Sequence, residues 1–232
     1  QIHFQGHCEF KMTQFSDLGL SAPLLAAVAA EGYSIPTPIQ VAAIGHVLAG
    51  RDLMATAETG TGKTAAFALP LLERLHATPA KQPRKIRLLV LAPTRELACQ
   101  IYDSFRAYGR QVAVRSTVIY GGVSQRPQQQ TLARGVDVLI ATPGRLIDLV
   151  GQKLVDLRHV EALVLDEADR MLDMGFAEDV QRLVDECVNR QQTMLFSATT
   201  GGSGLREMIA KVLNNPEHLQ LNAVRQLNST TR

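Results

Sequence analysis

The sequence predicts an α/β protein: a mostly parallel sheet with helices on both faces. Three observations carry this expectation. Apolar segments of strand length recur along the chain with helix-like stretches between them; the loop Gly60-Thr61-Gly62-Lys63-Thr64 directly follows one such segment; and the acidic run Asp166-Glu167-Ala168-Asp169 directly follows another. Strands that alternate with helices imply parallel pairing through right-handed crossovers. With 232 residues, 46% hydrophobic and 20% charged, the chain can bury one large core, and no linker-like shift in composition divides it.

The elements follow in order. Gln1 to His7 ends like a protease-cleavage remnant and Met12 is a natural start, so residues 1–11 are set aside as an expression-tag remnant and residues 12–222 form the domain. Ser21 to Glu31, Ala/Leu-rich behind a Ser cap, predicts the first helix, and Gln40 to Leu48, after Pro38, the second. Leu53 to Thr56 is the first strand, and the apolar stretch beginning at Thr64 starts a buried helix. Arg87 to Ala92 is a strand, followed by a helix over Thr94 to Tyr108 behind a Thr cap. Ser116 to Tyr120 and Val136 to Ala141 are strands flanking a helix over Ser124 to Ala133. Ala162 to Leu165 and Thr193 to Phe196 complete the strands, and Glu178 to Asn189 and Leu205 to Leu213 the helices. Residues 223–232 are polar and predict a tail or the start of a linker.

Composition excludes several classes. No stretch approaches 18 uninterrupted apolar residues, which argues against a membrane span or membrane partner. Cys8, Cys99 and Cys187 lack metal-ligand spacing and suit a reducing cytosol, so a cytoplasmic location is expected. A formal charge of +2 does not signal nucleic-acid binding by itself, so any such binding must come from local sites. The cluster Lys81-Gln82-Pro83-Arg84-Lys85 lies in a Pro-containing connection and reads as a solvated loop.

The chemistry begins at Lys63. A Gly-Lys-Ser/Thr tripeptide arises by chance in roughly one chain in ten of this size, so its context must carry the argument. Strand, loop and helix stand here in the order that phosphate binding requires. Gly60 and Gly62 free the backbone of Thr59 to Gly62 to turn successive N–H groups inward, aided by the helix N-terminus. Lys63 would reach the β- and γ-phosphates of ATP, and Thr64 would help hold Mg²⁺. The strict pattern wants Gly six positions before the lysine, where this chain has Ala57. The alternative is a glycine-rich turn without ligand.

The acidic run emerges from the C-terminal end of a predicted strand, the edge where open parallel sheets bind ligands. Asp166 would take Mg²⁺ through water, since small hard cations favour carboxylate oxygen and keep much of their hydration, and Glu167 would orient or deprotonate an attacking water. The alternative is a solvated acidic turn capping a helix from Asp169. Other short motifs end on the same edge: Pro93-Thr94-Arg95-Glu96, Gly121-Gly122, Thr142-Pro143-Gly144-Arg145 and Ser197-Ala198-Thr199. Each alone is an ordinary turn or cap, but together they offer hydroxyls, backbone N–H groups and guanidinium to phosphates.

With Gly32-Tyr33-Ser34-Ile35-Pro36-Thr37-Pro38-Ile39-Gln40 and the stretch from Asp166 to Phe176, these motifs make the chain resemble the DEAD-box ATP-dependent RNA helicases, with the flavour of bacterial members of the SrmB or RhlE type. The resemblance spans Phe15 to Thr199 and implies the family's first RecA-like P-loop NTPase domain. It implies that Gln40 reads the adenine edge, that Phe15 stacks on the base, and that Tyr33 lines the same pocket; without it, Phe15 reads as a surface or core aromatic on a short loop. It implies that Ser197 and Thr199 couple nucleotide state to RNA state near Asp169. It further implies that Thr94, Arg95, Gly121, Gly122, Thr142 and Arg145 hold the backbone of single-stranded RNA or a short duplex, without a base code. The expected partner is a second RecA-like domain carrying arginine fingers, which the sequence lacks, so the chain is expected to be part of a longer protein and nearly inactive alone. Ribosome assembly is one family role. A DNA helicase or translocase, and an ATP-gated RNA clamp, are the competing functions.

Overall fold

The computed structural model describes residues 13–220. The expected tag remnant, residues 1–11, and the expected tail, residues 223–232, lie outside the described residues. Six anticipated strands form: β1 (Leu53–Thr56), β2 (Leu88–Leu91), β3 (Ser116–Ile119), β4 (Val138–Ala141), β5 (Ala162–Leu165) and β6 (Gln192–Ser197). A further strand, β7 (Glu217–Gln220), was not legible in the sequence. Its residues alternate between half-buried and exposed, and among the described residues it pairs only with β1, as an edge strand does. The sheet runs β3-β4-β2-β5-β6-β1-β7, and every neighbouring pair is parallel.

The helices are α1 (Ala22–Ala30), α2 (Pro38–Leu48), α3 (Lys63–Ala77), α4 (Arg95–Tyr108), α5 (Arg126–Ala133), α6 (Pro143–Gly151), α7 (Ala168–Asp173), α8 (Ala177–Glu186) and α9 (Ser203–Val212), with a 3-10 turn at Phe15–Leu18. Successive strand residues face opposite sides. Leu53, Ala55, Leu88, Val90 and Val164 share one core with α1 to α4. Met54, Leu89, Leu91, Leu163 and Leu165 share the other with α6 to α9. Two covered faces explain why the strands read as continuous apolar runs rather than alternating ones. On the first face Phe67 of α3 meets Phe196 of β6 at 5.2 Å between ring centroids, fixing α3 on the sheet.

Three local expectations change. Ser21 occupies the cap position of α1, but its hydroxyl makes no cap bond and is buried without a partner. Pro23, in the first turn, lacks the N–H such a cap would use. The α2 helix begins at Pro38 rather than Gln40, because proline at the first helical position sets φ and needs no donor. Arg84, within the basic cluster expected to be a solvated loop, is largely sequestered: it pairs with the buried Asp137 and donates to the Ala113 carbonyl at 3.2 Å.

Candidate functional site

The sheet order sorts the motifs into two groups on one edge. The Lys63 loop, the acidic run and Ser197-Ala198-Thr199 follow β1, β5 and β6, which are adjacent. Thr94 and Arg95, Gly121 and Gly122, and Thr142 and Arg145 follow β2, β3 and β4, which are also adjacent.

In the first group Gly60 and Gly62 both take positive φ, at 83° and 88°, as the loop turns into α3. Gly62 is also pressed against α2: a Cβ there would lie 2.6 Å from Gln40 Nε2 and 2.9 Å from Thr37 Oγ1. Ala57 replaces the expected glycine without strain. Its N–H donates to the Ser197 carbonyl at 3.1 Å, extending the β1–β6 ladder, and its side chain joins the core.

Lys63 opens α3 and is 8% exposed; Asp166, just beyond β5, is 2% exposed. Lys63 Nζ lies 3.9 Å from Asp166 Oδ1, so two charges 103 residues apart in sequence meet in a nearly water-free position. Burial raises the Asp166 carboxyl from 3.8 to about 6, with Lys63 acting in the opposite direction. The same carboxylate accepts the Glu167 N–H at 2.9 Å. Glu167 has φ 51° and ψ 52°, a left-handed conformation unusual for a side-chain-bearing residue, and its carboxylate pairs with Arg170 at 3.3 Å. Among the described residues no three His, Cys, Asp or Glu converge on a cation site. One buried carboxylate and a threonine, Asp166 and Thr64, lining one cleft still suit Mg²⁺, which keeps much of its water and takes few protein ligands alongside phosphates.

A cleft of about 470 Å³ lies over this loop. Tyr33, Thr37, Gln40, Thr59, Gly60, Gly62, Lys63, Thr64, Asp166 and Glu167 line it. Thr61 does not; its hydroxyl donates to the Glu58 carbonyl at 2.9 Å. Gln40 is partly engaged already: Oε1 accepts the Thr37 N–H at 2.9 Å and Nε2 donates to the Gly62 carbonyl at 3.2 Å. One N–H and one lone pair of its amide stay free for a base. The Thr37 hydroxyl is buried without a partner, a polar group suited to a ligand in the cleft. Tyr33 is 45% exposed and tilts against Tyr108 at 6.4 Å. Phe15 is placed otherwise. It is 5% exposed, belongs to the core, and does not line the cleft. A larger cavity of about 700 Å³ lies at the opposite end of the strands, where Arg87 and Glu161 already bond one another at 2.9 Å.

Asp169 sits inside α7 and does not cap it. Its Oδ2 accepts the N–H groups of Ala198 and Thr199 and the Thr199 hydroxyl, each at 3.2 Å, while Ser197 Oγ accepts the Thr199 N–H at 3.3 Å. In the second group, Thr94 caps α4 by accepting the Leu97 N–H at 3.3 Å, and the Arg95 guanidinium lies 4.7 Å from the Tyr120 ring centroid. Thr142 stands before α6, and Gly121 and Gly122 are exposed. Arg145 donates to the Val123 carbonyl at 2.9 Å and to Gln128 Oε1 at 3.3 Å.

The family model described as DEAD/DEAH box helicase matches residues 37–208. The chain belongs to this family. It is 42% identical over 211 residues to "ATP-dependent RNA helicase SrmB" of Escherichia coli strain K12, a match covering 91% of this chain and 48% of that protein. It is 45% identical over 212 residues to "DEAD-box ATP-dependent RNA helicase 28" of Oryza sativa subsp. japonica, covering 91% of this chain and 26% of that protein. The chain thus spans about a quarter to a half of the length of these curated relatives. Its RecA-like fold matches the crystal structure of a DEAD box protein from Methanococcus jannaschii with a TM-score of 0.83 and 33% identity, over 90% of this chain and 56% of that one.

Within this DEAD/DEAH box domain, sequence reasoning missed the wall that α4 gives the cleft. Leu97, Gln100, Ser104 and Tyr108 line it at spacings of three and four, the signature of one helix face. That spacing was present in the sequence, but a helix face shows which residues align and not what stands opposite. The Arg170 contact to Glu167 was missed too; an i, i+3 pair of opposite charge on a helix is its only local signal.

Proposed function

We propose that the chain is the ATP-binding domain of an RNA helicase. It binds ATP with Mg²⁺ at the Lys63 loop, holds the RNA backbone at the ends of β2, β3 and β4, and with a second RecA-like domain couples hydrolysis to local duplex unwinding. The observation that supports this reading best is the 3.9 Å approach of Lys63 Nζ to Asp166 Oδ1, a lysine and a carboxylate held nearly dry above a helix N-terminus. The N–H groups of Thr59 to Gly62 and the Lys63 ammonium bind phosphates. Thr64 and Asp166 hold Mg²⁺, which supplies charge neutralisation to the transferred phosphoryl group when bound. Glu167 orients or deprotonates the attacking water, Gln40 and Tyr33 meet the base, and Phe15 supports that pocket from the core. Asp169, Ser197 and Thr199 join the nucleotide half of the edge to its surroundings. Thr94, Arg95, Gly121, Gly122, Thr142 and Arg145 contact phosphates and sugars, so recognition is independent of sequence. A cytoplasmic role in ribosome assembly or RNA decay fits such an activity.

A clamp that uses ATP only as a switch is the second reading, favoured by the Arg170 contact that occupies Glu167. Steady-state ATPase of the chain joined to its second domain separates the alternatives. RNA is expected to stimulate turnover, and Glu167→Gln to lower it by about a hundredfold or more with ATP affinity retained. Stimulation by DNA alone, or normal turnover by Glu167→Gln, would overturn the proposal. Stable binding without RNA-stimulated hydrolysis would establish the clamp.

A further inference from the structure

The formal charge of +2 conceals an uneven distribution. From Ser104 to Val136 the sequence carries five arginines and no Asp or Glu, so that acidic residues outnumber basic ones in the remainder. The fold gathers this stretch at one corner: the second half of α4, the edge strand β3, and α5. There a groove of about 500 Å³ runs between α4 and α5 at the start of β3. Arg106, Arg115, Arg134, Ser116, Thr131 and Tyr102 line it, and no carboxylate does.

The arginines of this corner differ in their partners. Arg110 pairs with Glu31 at 3.5 Å, outside the groove. Arg106, Arg115 and Arg134 are exposed, and no guanidinium among them has a carboxylate partner among the described residues; the Arg115 backbone N–H donates at 2.8 Å to the buried Asp137, whose charge Arg84 meets, and Arg106 lies 5.7 Å from the Tyr102 ring centroid. Three like charges around one concavity repel each other and focus positive potential into it. Such an arrangement contributes little to folding and favours an anion, which the planar guanidinium fork binds in two places at once.

The α5 helix links the groove to the candidate RNA edge. The α5 helix buries no residue in the core, yet its Gln128 donates to the Tyr120 carbonyl at 3.1 Å and accepts from Arg145 at 3.3 Å. One end of α5 is thus fastened beside Gly121, Gly122 and Arg145, and the other end carries Arg134 into the groove. The four residues of β3 separate the two places by about 13 Å.

We propose that this groove is a second phosphate-binding site, which takes the RNA strand after it leaves the upper edge and descends along β3 beside α5. The inference rests on the RNA reading given above. Arg106, Arg115 and Arg134 contact phosphates, and Ser116 and Thr131 supply hydroxyl donors. The site carries no base code and lengthens the RNA footprint on this domain.

Fluorescence anisotropy with the 232-residue chain at low salt tests it, using single-stranded RNA of about six nucleotides, enough for the upper edge, and of about twelve. The longer RNA is expected to bind more tightly than its extra registers explain. Combining Arg106→Gln, Arg115→Gln and Arg134→Gln should remove that gain and leave the short RNA unaffected. It should also lower the slope of log affinity against log salt by about 2, as three lost phosphate contacts require. The three lysine replacements should retain most of the slope, and melting curves of both variants should match the parent. A length gain that persists in the glutamine variant overturns the second site and leaves the upper edge intact. Failure of the parent to bind either RNA overturns the RNA reading together with this one. Binding of a polyglutamate peptide that the glutamine variant loses, with the RNA length gain untouched, assigns the groove to an acidic protein instead.

Discussion

At the residue scale, the cost of the site concentrates in Asp166. Its carboxyl is raised to about 6 in the fold against 3.8 for the free group, so folding disfavours the ionised form. A carboxyl raised in this way favours the fold most at pH values below about 4, and that contribution is lost as pH rises through 6. The full shift corresponds to about 3 kcal/mol. Asp166→Asn is therefore expected to stabilise the nucleotide-free protein at pH 8, by up to about that amount, with the gain shrinking as pH falls towards 4. Urea titrations across this range check it, and a variant less stable than the parent at pH 8 would mean that Lys63 more than offsets the burial. Lys63 itself is the other half of the pair. Lys63→Ala removes charge-assisted bonds to phosphate worth about 3 kcal/mol, so ATP affinity should fall about a hundredfold in calorimetry, with an unchanged affinity refuting the phosphate role.

At the element scale, the loop before α3 is shaped by two glycines that differ in their surroundings. Both need positive φ, which costs other residues about 1–2 kcal/mol. Only Gly62 is also crowded, by Gln40 Nε2 and Thr37 Oγ1, whereas nothing lies within 4 Å of a Cβ at Gly60. Gly60→Ala should cost about 1 kcal/mol of stability, and Gly62→Ala about 2–4 kcal/mol because α2 must also move. Equal losses in thermal unfolding would mean that φ strain alone governs the loop. The need for glycine at both places was legible from the sequence; the crowding was not, because Thr37 and Gln40 approach the loop only through tertiary packing. The same limit explains other differences. The apolar strands β2, β4 and β5 identify themselves, whereas β7, written Glu-His-Leu-Gln, is a strand only because β1 offers it an edge. Phe15 matched a motif by spacing, yet spacing cannot tell a ring facing a ligand from one facing the core.

At the scale of the whole molecule, the sheet order does what no motif announces. It places β5, β6 and β1 side by side under the nucleotide motifs, and β3, β4 and β2 under the candidate RNA contacts. The two sets were legible singly, but their partition depends on strand order, which the sequence does not encode locally. Within the domain the halves meet where β2 pairs with β5, and the Asp169 carboxylate accepts only from Arg170, Ala198 and Thr199 among the described residues, all in the β5–β6 half. Both faces of the parallel sheet are packed, and coupling requires an element with two states. The isolated chain is therefore expected to bind ATP and RNA almost independently: saturating RNA should change ATP affinity by no more than about twofold, a coupling below about 0.5 kcal/mol. Joined to a second RecA-like domain that closes over both halves, the same measurement should give a coupling of about 1–3 kcal/mol. Calorimetric titration of a non-hydrolysed ATP analogue, with and without RNA, makes the comparison. Strong coupling in the 232-residue chain alone would place the switch inside this domain, with the Asp169–Thr199 contact as the first bond to cut.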